Sequence, residues 1–418
     1  MIPKNWIVKE LGDVAFSTKG KKPKFLVNEY NEEFSVPYVN IKAFEGRGIN
    51  EYTNGEKCVL CKSTDILIVW DGARFGLVGK GVAGAIGSTL AHIQSKIIVD
   101  TLLFYFLQYH YRYIQSRPKG VGIPHVDPNI LWKIKILIPP QNEQHRIVEK
   151  IEELFTKLDA AVTELKNVKK QLKRYRQSVL KSAFEGKLTE DDDWKWIKLN
   201  TVLDVKDGTH DTPKYEENGI PFITQKNIKN GKFLFENFKR INKNDHDKFY
   251  KRSNVAQNDI IISMIGANRG MSCIVDIDDV FSIKNVGLVK ADFQKFLPKF
   301  LDYYFKSNHG QSSILSKSKG GAQQFIGLTE LRNWEVPHAL IDIQQKIVEE
   351  IESRFSVADK IEEEIDKNLK RTEQLRQSIL KKAFEGKLVP QDPNDPPASE
   401  LLEQIKKERN KNNARKNK

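Results

Sequence analysis

Apolar residues between positions 147 and 179 recur in steps of four and three: Ile147, Ile151, Leu154, Leu158, Ala161, Leu165, Val168, Leu172, Tyr175 and Val179. This is the a/d spacing of a coiled-coil seam. No proline or glycine interrupts it before Gly186, and Pro139-Pro140 stands ahead of it as an entry. Forty residues of helix rise about 60 Å at ~1.5 Å each, so the segment predicts a spacer rather than an ordinary globular helix. A second stretch keeps the spacing at Ile347, Ile351, Ala358, Ile361, Ile365, Leu375 and Ile379, but puts Arg354, Asn368 and Thr372 on seam positions. Either Phe355 and Leu369, one position along, widen the apolar stripe while polar seam residues fix the register, or the seam rotates there and leaves the polar residues solvated. Outside the two stretches the pattern changes. Short β-branched runs at 36–41, 65–70, 221–224 and 259–264 are separated by turns, and aromatic-rich helical stretches follow at 102–113 and 300–306. That mixture predicts compact α+β domains.

The chain repeats itself at an offset of 200. Ile147-Val148-Glu149 returns as Ile347-Val348-Glu349, Arg176-Gln177-Ser178 as Arg376-Gln377-Ser378, and Ala183-Phe184-Glu185-Gly186-Lys187-Leu188 as 383–388. About 21 of the 50 positions from 141 to 190 are identical to their partners, far above chance. The preceding regions correspond more loosely. Val36-Pro37-Tyr38-Val39 parallels Ile220-Pro221-Phe222-Ile223, and Asp65-Ile66-Leu67-Ile68 parallels Asp259-Ile260-Ile261-Ile262. Glycine-bearing loops follow the latter pair, at 72–76 and 266–270. The plan is a variable domain (1–140), a constant helix (141–190), a second variable domain (191–340), a second helix (341–390) and a charged tail (391–418), of which 403–418 is expected to fray. The expected fold class is α+β: two pseudo-symmetric mixed domains separated by two long antiparallel helices forming a coiled coil. The seam residues are Ile147, Ile151, Leu154, Leu158, Leu165 and Leu172 against Ile347, Ile351, Ile361, Ile365, Leu375 and Ile379. Pairing with the seams of a second copy is the competing arrangement.

A balance of 68 Lys and Arg against 55 Asp and Glu leaves a net charge of +13, which suits a polyanionic partner. No run approaches the ~18 apolar residues of a membrane span. The opening residues lack the apolar core of a signal peptide, so the chain reads as cytoplasmic. Cys58 and Cys61 have the spacing of half a zinc site, but no second Cys or His pair accompanies them, so neither a metal site nor a disulfide framework is expected.

Reading base edges calls for Arg or Lys opposite guanine and Asn or Gln opposite adenine. The first domain offers Lys21, Lys22, Lys24, Arg74 and Lys119 in or beside loops. The second offers Thr209, His210, Lys214, Lys226, Asn227, Asn268, Arg269, Lys317, Lys319, Gln323 and Gln324. Each residue alone is more readily a solvated surface side chain. The recurrence of basic, glycine-bearing loops at matching places is what argues for double-stranded DNA.

These features resemble the specificity subunits of type I restriction-modification enzymes. The resemblance rests on the Trp6 and Trp196 openings, the Gln144 and Gln344-Gln345 helix starts, the two Ala-Phe-Glu-Gly-Lys-Leu endings and the closing residues 395–402. It implies two target-recognition domains, each reading one half of a split asymmetric site, with the helix pair as a ruler for the unread spacer. It also implies docking of two modification subunits, which use S-adenosylmethionine, and of restriction subunits that use ATP and Mg. This chain itself would bind no cofactor and carry no catalytic residue. A methyltransferase would need a glycine-rich cofactor loop and an Asn/Asp-Pro-Pro-aromatic motif, whereas Asp395-Pro396-Pro397-Ala398 lacks the aromatic. A motor would need a phosphate-binding loop, which is missing as well. The remaining alternative is a coiled-coil scaffold that binds only protein.

Overall fold

The structure, a computed structural model, describes residues 2–120, 122–189, 194–321 and 324–404. The chain divides into two compact units, Met1–Glu164 with Asn368–Lys418, and Leu165–Lys367. Each therefore combines one variable domain with the first part of one long helix and the last part of the other.

In unit 1, Ala15–Lys19, Leu90–Ser95, Ile66–Val69 and Val78–Lys80 form an antiparallel sheet in that order. All four residues of Ile66–Val69 are buried, which is why this central strand reads as a continuous apolar run rather than an alternation. A second sheet orders Tyr52–Thr53, Val36–Val39, Gly84–Ile86 and Leu60–Cys61, with Val36–Val39 parallel to Gly84–Ile86. Helix α1 (Asp100–Gln115) buries Leu102, Leu103, Phe106, Leu107 and Ile114. Ile7–Glu10 pairs with Lys135–Ile138, the strand leading into α2 (Gln141–Phe184).

Unit 2 repeats the first sheet strand for strand and the second in three of its four strands; Tyr215–Glu216 is added at the edge beyond Lys239–Ile241, and among the described residues no strand answers to Leu60–Cys61. Val205–Asp207, Val286–Val289, Ile260–Ser263 and Ser272–Ile274 form one, and Tyr215–Glu216, Lys239–Ile241, Ile220–Thr224 and Ser282–Lys284 the other. It adds a hairpin, Ile228–Lys229 with Lys232–Phe233. Its domain helix is broken into α3 (Pro298–Lys306) and α4 (Asn308–Leu315) before α5 (Ile341–Phe384). Ile7 pairs with Ile138 and Lys195 with His338. Since Ile138 and His338 are duplicates, Trp6 corresponds to Trp194, not to Trp196; Trp196 stands where unit 1 has Val8.

The seams are used within the chain. In unit 2, Lys169 bonds Asp366 at 2.7 Å and Arg176 bonds Asp359 at 2.7 Å, so numbers rise along α2 as they fall along α5. In unit 1, Arg376 bonds Asp159 and lies 4.6 Å over the Phe155 ring, as Arg176 lies 5.2 Å over Phe355. Ile147, Ile151, Ile347, Ile351, Ile365 and Leu172 are buried, and Leu154, Leu158, Leu165 and Ile379 half-buried.

Ile361 and Leu375 depart from expectation: they are 41% and 42% exposed, as are Val168 and Tyr175 at 37% and 43%. The inward line instead passes one residue later, through Phe155, Val162, Lys169 and Arg176, and through Phe355, Glu362, Leu369 and Arg376, all half-buried. Packing on the domains selects it. Phe155 meets Tyr105 edge-on at 5.5 Å and Phe355 meets Tyr303 at 5.7 Å. The seam thus rotates, Asn368 is exposed, and Thr372 is buried.

The first part of the tail is ordered in unit 1. Asp395 accepts from Arg146 at 2.5 Å and from Asn142 at 3.3 Å, and the Ala398 N–H donates to the Asn5 carbonyl at 3.0 Å. Leu388, Val389, Leu401 and Leu402 pack on the unit 1 core. The fraying expected from 403 onward falls almost wholly outside the described residues.

Candidate nucleic-acid interface

Each first sheet ends in a loop that crosses to the second sheet, and both crossings require glycine. A Cβ on Gly20 would lie 2.3 Å from the Ile86 and Gly87 carbonyl oxygens, and one on Gly208 2.4 Å from the Ile283 oxygen. Backbone bonds Lys21 N to Ile86 O and Thr209 N to Ile283 O anchor the two loops alike. In unit 1 this places Lys21, Lys22 and Lys24 in solvent. In unit 2, Thr209 is buried and its hydroxyl caps Asp211 N at 3.1 Å. His210 is exposed between Asp207 Oδ2 (3.1 Å) and Asn285 Oδ1 (2.9 Å). Arg252 holds the same buried Asp207 through two bonds of 2.8 and 2.7 Å. Lys214 is exposed.

The glycine loops and the basic hairpins come together in both units. In unit 1, Gly72 N bonds Pro124 O at 2.8 Å, and His125 bridges both Asp71 and Lys119. Lys19 bonds Asp71 at 2.8 Å, tying the Lys21 loop to the same surface. Lys119 is exposed, and Arg74 reaches Glu45 at 2.5 Å while staying largely exposed. In unit 2, Gly266 N bonds Gln324 O at 3.1 Å, and Phe325 bridges Ile265 and Lys319. Gly72 (φ +105°), Gly76 (φ +85°), Gly266 (φ +76°) and Gly270 (φ +83°) supply the left-handed turns that build this shared platform.

Several candidate side chains are already engaged there. Arg269 donates to Ser318 Oγ (3.0 Å), to Gly266 O (3.2 Å) and to Gln324 Oε1, binding loop and hairpin together. Lys319 pairs with Glu330 at 2.5 Å, and Lys317 donates to Asn333 O at 3.3 Å. Asn227 is buried, its amide spent on Leu234 O, Glu236 O and Thr224 N. Lys226 and Asn268 line one hollow of about 380 Å³ together with Gln225, Lys229 and the engaged Asn227. Gln225 belongs with Lys226 and Asn227 to a segment singled out by residue type, whereas Lys229 is absent from the sequence-based set. The adjacent Lys226 and Asn227 drew notice to the segment, but only the added hairpin brings Lys229 to this wall. Gln323 lies outside the described residues.

Cys61 donates its thiol to Val82 O at 2.9 Å, and burial pushes its pKa up to about 11. Among the described residues no group of three or more His, Cys, Asp and Glu side chains is placed to hold a metal ion, and no helix is long and apolar enough to cross a membrane.

Residues 3–172 and again 191–371 match the type I restriction modification DNA specificity domain. The chain is 26% identical over 408 residues to the type I restriction enzyme MjaVIII specificity subunit of Methanocaldococcus jannaschii, covering 93% of this chain and 94% of that protein. It is 29% identical over 327 residues to the EcoBI specificity subunit of Escherichia coli, covering 71% and 69%. A chain solved in work on complex assembly and conformational transition of the type I R-M system superposes with a TM-score of 0.70 at 20% identity, over 93% of this chain and 99% of that one. The HsdS subunit of Thermoanaerobacter tengcongensis superposes with a TM-score of 0.54 at 19% identity, over 92% and 98%.

Proposed function

The chain belongs to the type I restriction modification DNA specificity family, and from that premise we propose that each of its domains reads one half of a bipartite, asymmetric double-stranded DNA target. The helix pair sets the unread gap and docks two modification subunits. Methylation with S-adenosylmethionine, and ATP- and Mg-dependent translocation and cleavage, belong to partner subunits, while this chain binds no cofactor and catalyses nothing. The observation that carries the reading is the duplicated platform of glycine loop and basic hairpin, with Arg74 and Lys119 in one unit and Asn268 and Lys319 in the other. A two-stranded hairpin is narrow enough to enter a major groove, where amide and cationic side chains meet base edges.

The test is to assemble the chain with the modification subunit and map methylated adenines on a random-sequence DNA library. Two half-sites at a fixed gap are expected. Exchanging residues 195–338 for the same region of a relative should then change one half-site and leave the other. Methylation without sequence preference, as a protein-only scaffold would give, or a change in both half-sites, would refute the proposal.

A further inference from the structure

Unit 2 carries a groove of about 930 Å³ at the C-terminal end of α2, with Leu180, Phe184 and Trp196 on its floor and Lys173, Arg174 and His309 on its rim. None of the candidate DNA-contacting residues lines it. Its existence traces to the break between α3 and α4, where Ser307 is extended (φ −69°, ψ 152°). Gln177 fills that break, donating to Lys306 O at 3.1 Å and accepting from Asn308 N at 2.9 Å. In unit 1 the corresponding helix α1 is continuous.

Three positions set this groove apart from its duplicate. Trp196 stands where unit 1 has Val8, and it is 46% exposed, its ring 5.3 Å from His309. Lys173 and Arg174 stand where unit 1 has Glu373 and Gln374. Neither of the two cations makes a hydrogen bond or an ion pair among the described residues, while Glu185, the one acid lining the groove, is paired with Lys187 at 2.7 Å and Lys181 at 3.7 Å, so the rim is net positive. An exposed tryptophan in a concave apolar floor with arginine beside it is the composition of a protein-binding hot spot. A groove with that floor favours an inserted apolar side chain over a phosphate backbone. In unit 1 Glu373 reverses the charge at one of these two positions and Gln374 removes it at the other.

We infer that this groove anchors an acidic segment of one partner protein through an apolar or aromatic side chain, so that the chain's two docking positions are unequal. The inference rests on the reading that the helix ends dock modification subunits.

The experiment is a titration of the full chain with the modification subunit, followed by native mass spectrometry and calorimetry. Wild-type protein should take up two copies in two steps of different affinity. Lys173→Glu with Arg174→Glu, and separately Trp196→Val, should weaken one step roughly tenfold or more and leave the other unchanged. Glu373→Lys with Gln374→Arg in unit 1 should not weaken either step. Thermal melts matching wild type show that the surface variants remain folded. Equal weakening of both steps, no weakening, or lost DNA binding with partner uptake intact would each overturn the inference. A wild-type chain that takes up no modification subunit would instead refute the docking reading beneath it.

Discussion

Gln144 and Gln344 each serve three backbone groups from a buried site. Gln144 accepts from Val99 N at 2.8 Å and donates to Ile97 O and Pro139 O at 3.1 Å; Gln344 accepts from Leu297 N at 2.9 Å and donates to Lys295 O and Ala339 O. Each thereby clamps the start of a domain helix to the start of a long helix. Gln344→Leu should cost unit 2 about 2–4 kcal/mol, because groups cut off from water lose their partners; a denaturant midpoint equal to wild type would contradict the clamp. Arg269 and Asn268, adjacent in sequence, separate in role for the same kind of reason. Arg269→Ala is expected to loosen the hairpin and lower stability, whereas Asn268→Ala should leave stability unchanged and relax selectivity at one half-site by about 1–3 kcal/mol, read from binding to single-base variants of the target. Residue type pointed to both positions, but only the contacts distinguish a strut from a free amide. Glu143, beside the Trp6 indole at 2.9 Å, has its carboxyl pKa raised above the ordinary 4.5, chiefly by burial. Folded protein then binds more protons than unfolded protein across that interval, so its contribution to stability falls as pH rises through the interval. Glu143→Gln should flatten this part of a pH–stability profile. Asp395 behaves oppositely: the bond from Arg146 lowers its pKa below 3.8, and the stability it adds is lost as pH falls through the lowered value.

The long helices were legible in length and in half of their inward positions. Ile151, Leu158, Leu165, Leu172 and Val179 face inward as the heptads imply, yet the alternate line is displaced by one residue. The reason is physical: the seam at Lys169, Arg176, Glu362 and Arg376 is built from long charged side chains whose stems are covered while their heads pair, and such residues do not register as seam in an apolar count. Charge also selects the antiparallel match. Residues 165–184 hold seven Lys and Arg and no acid, while 341–367 hold nine acids and four bases. In unit 1, residues 141–164 hold six acids and three bases, facing 368–384 with five bases and one acid. Acidic starts and basic ends also suit the helix dipoles. Ile365→Ala should therefore cost about 2–4 kcal/mol, and Ile361→Ala no more than about 0.5 kcal/mol. Equal losses in urea titrations would restore the register that the apolar count suggests.

At the scale of the molecule, duplication was the most legible feature, since an offset of 200 needs no structural interpretation. Less legible was how duplicates differ: the broken α3–α4 helix, the added hairpin at Ile228–Phe233 and the tail on unit 1 have no shared motif to announce them. The ruler reading makes a demand that any insertion must meet. Seven residues added to each long helix, after Glu164 and after Lys367, keep the seam facing its partner because a heptad is two turns at 3.5 residues. They lengthen the pair by about 10 Å, close to three base pairs at ~3.4 Å each. The lengthened protein, assembled with modification subunit, should therefore methylate sites whose gap is about three base pairs longer, with both half-sites unchanged. Because three base pairs also turn the duplex by roughly a third of a revolution, activity at the new gap should be lower than wild type at its own. Insertion in one helix only breaks the charge pairing at Lys169–Asp366 and Arg176–Asp359 or its counterpart, and should abolish activity at every gap. If the doubly lengthened protein instead keeps its original gap, the helices do not measure the spacer, and the distance between the two reading domains is set by the DNA-bound partners.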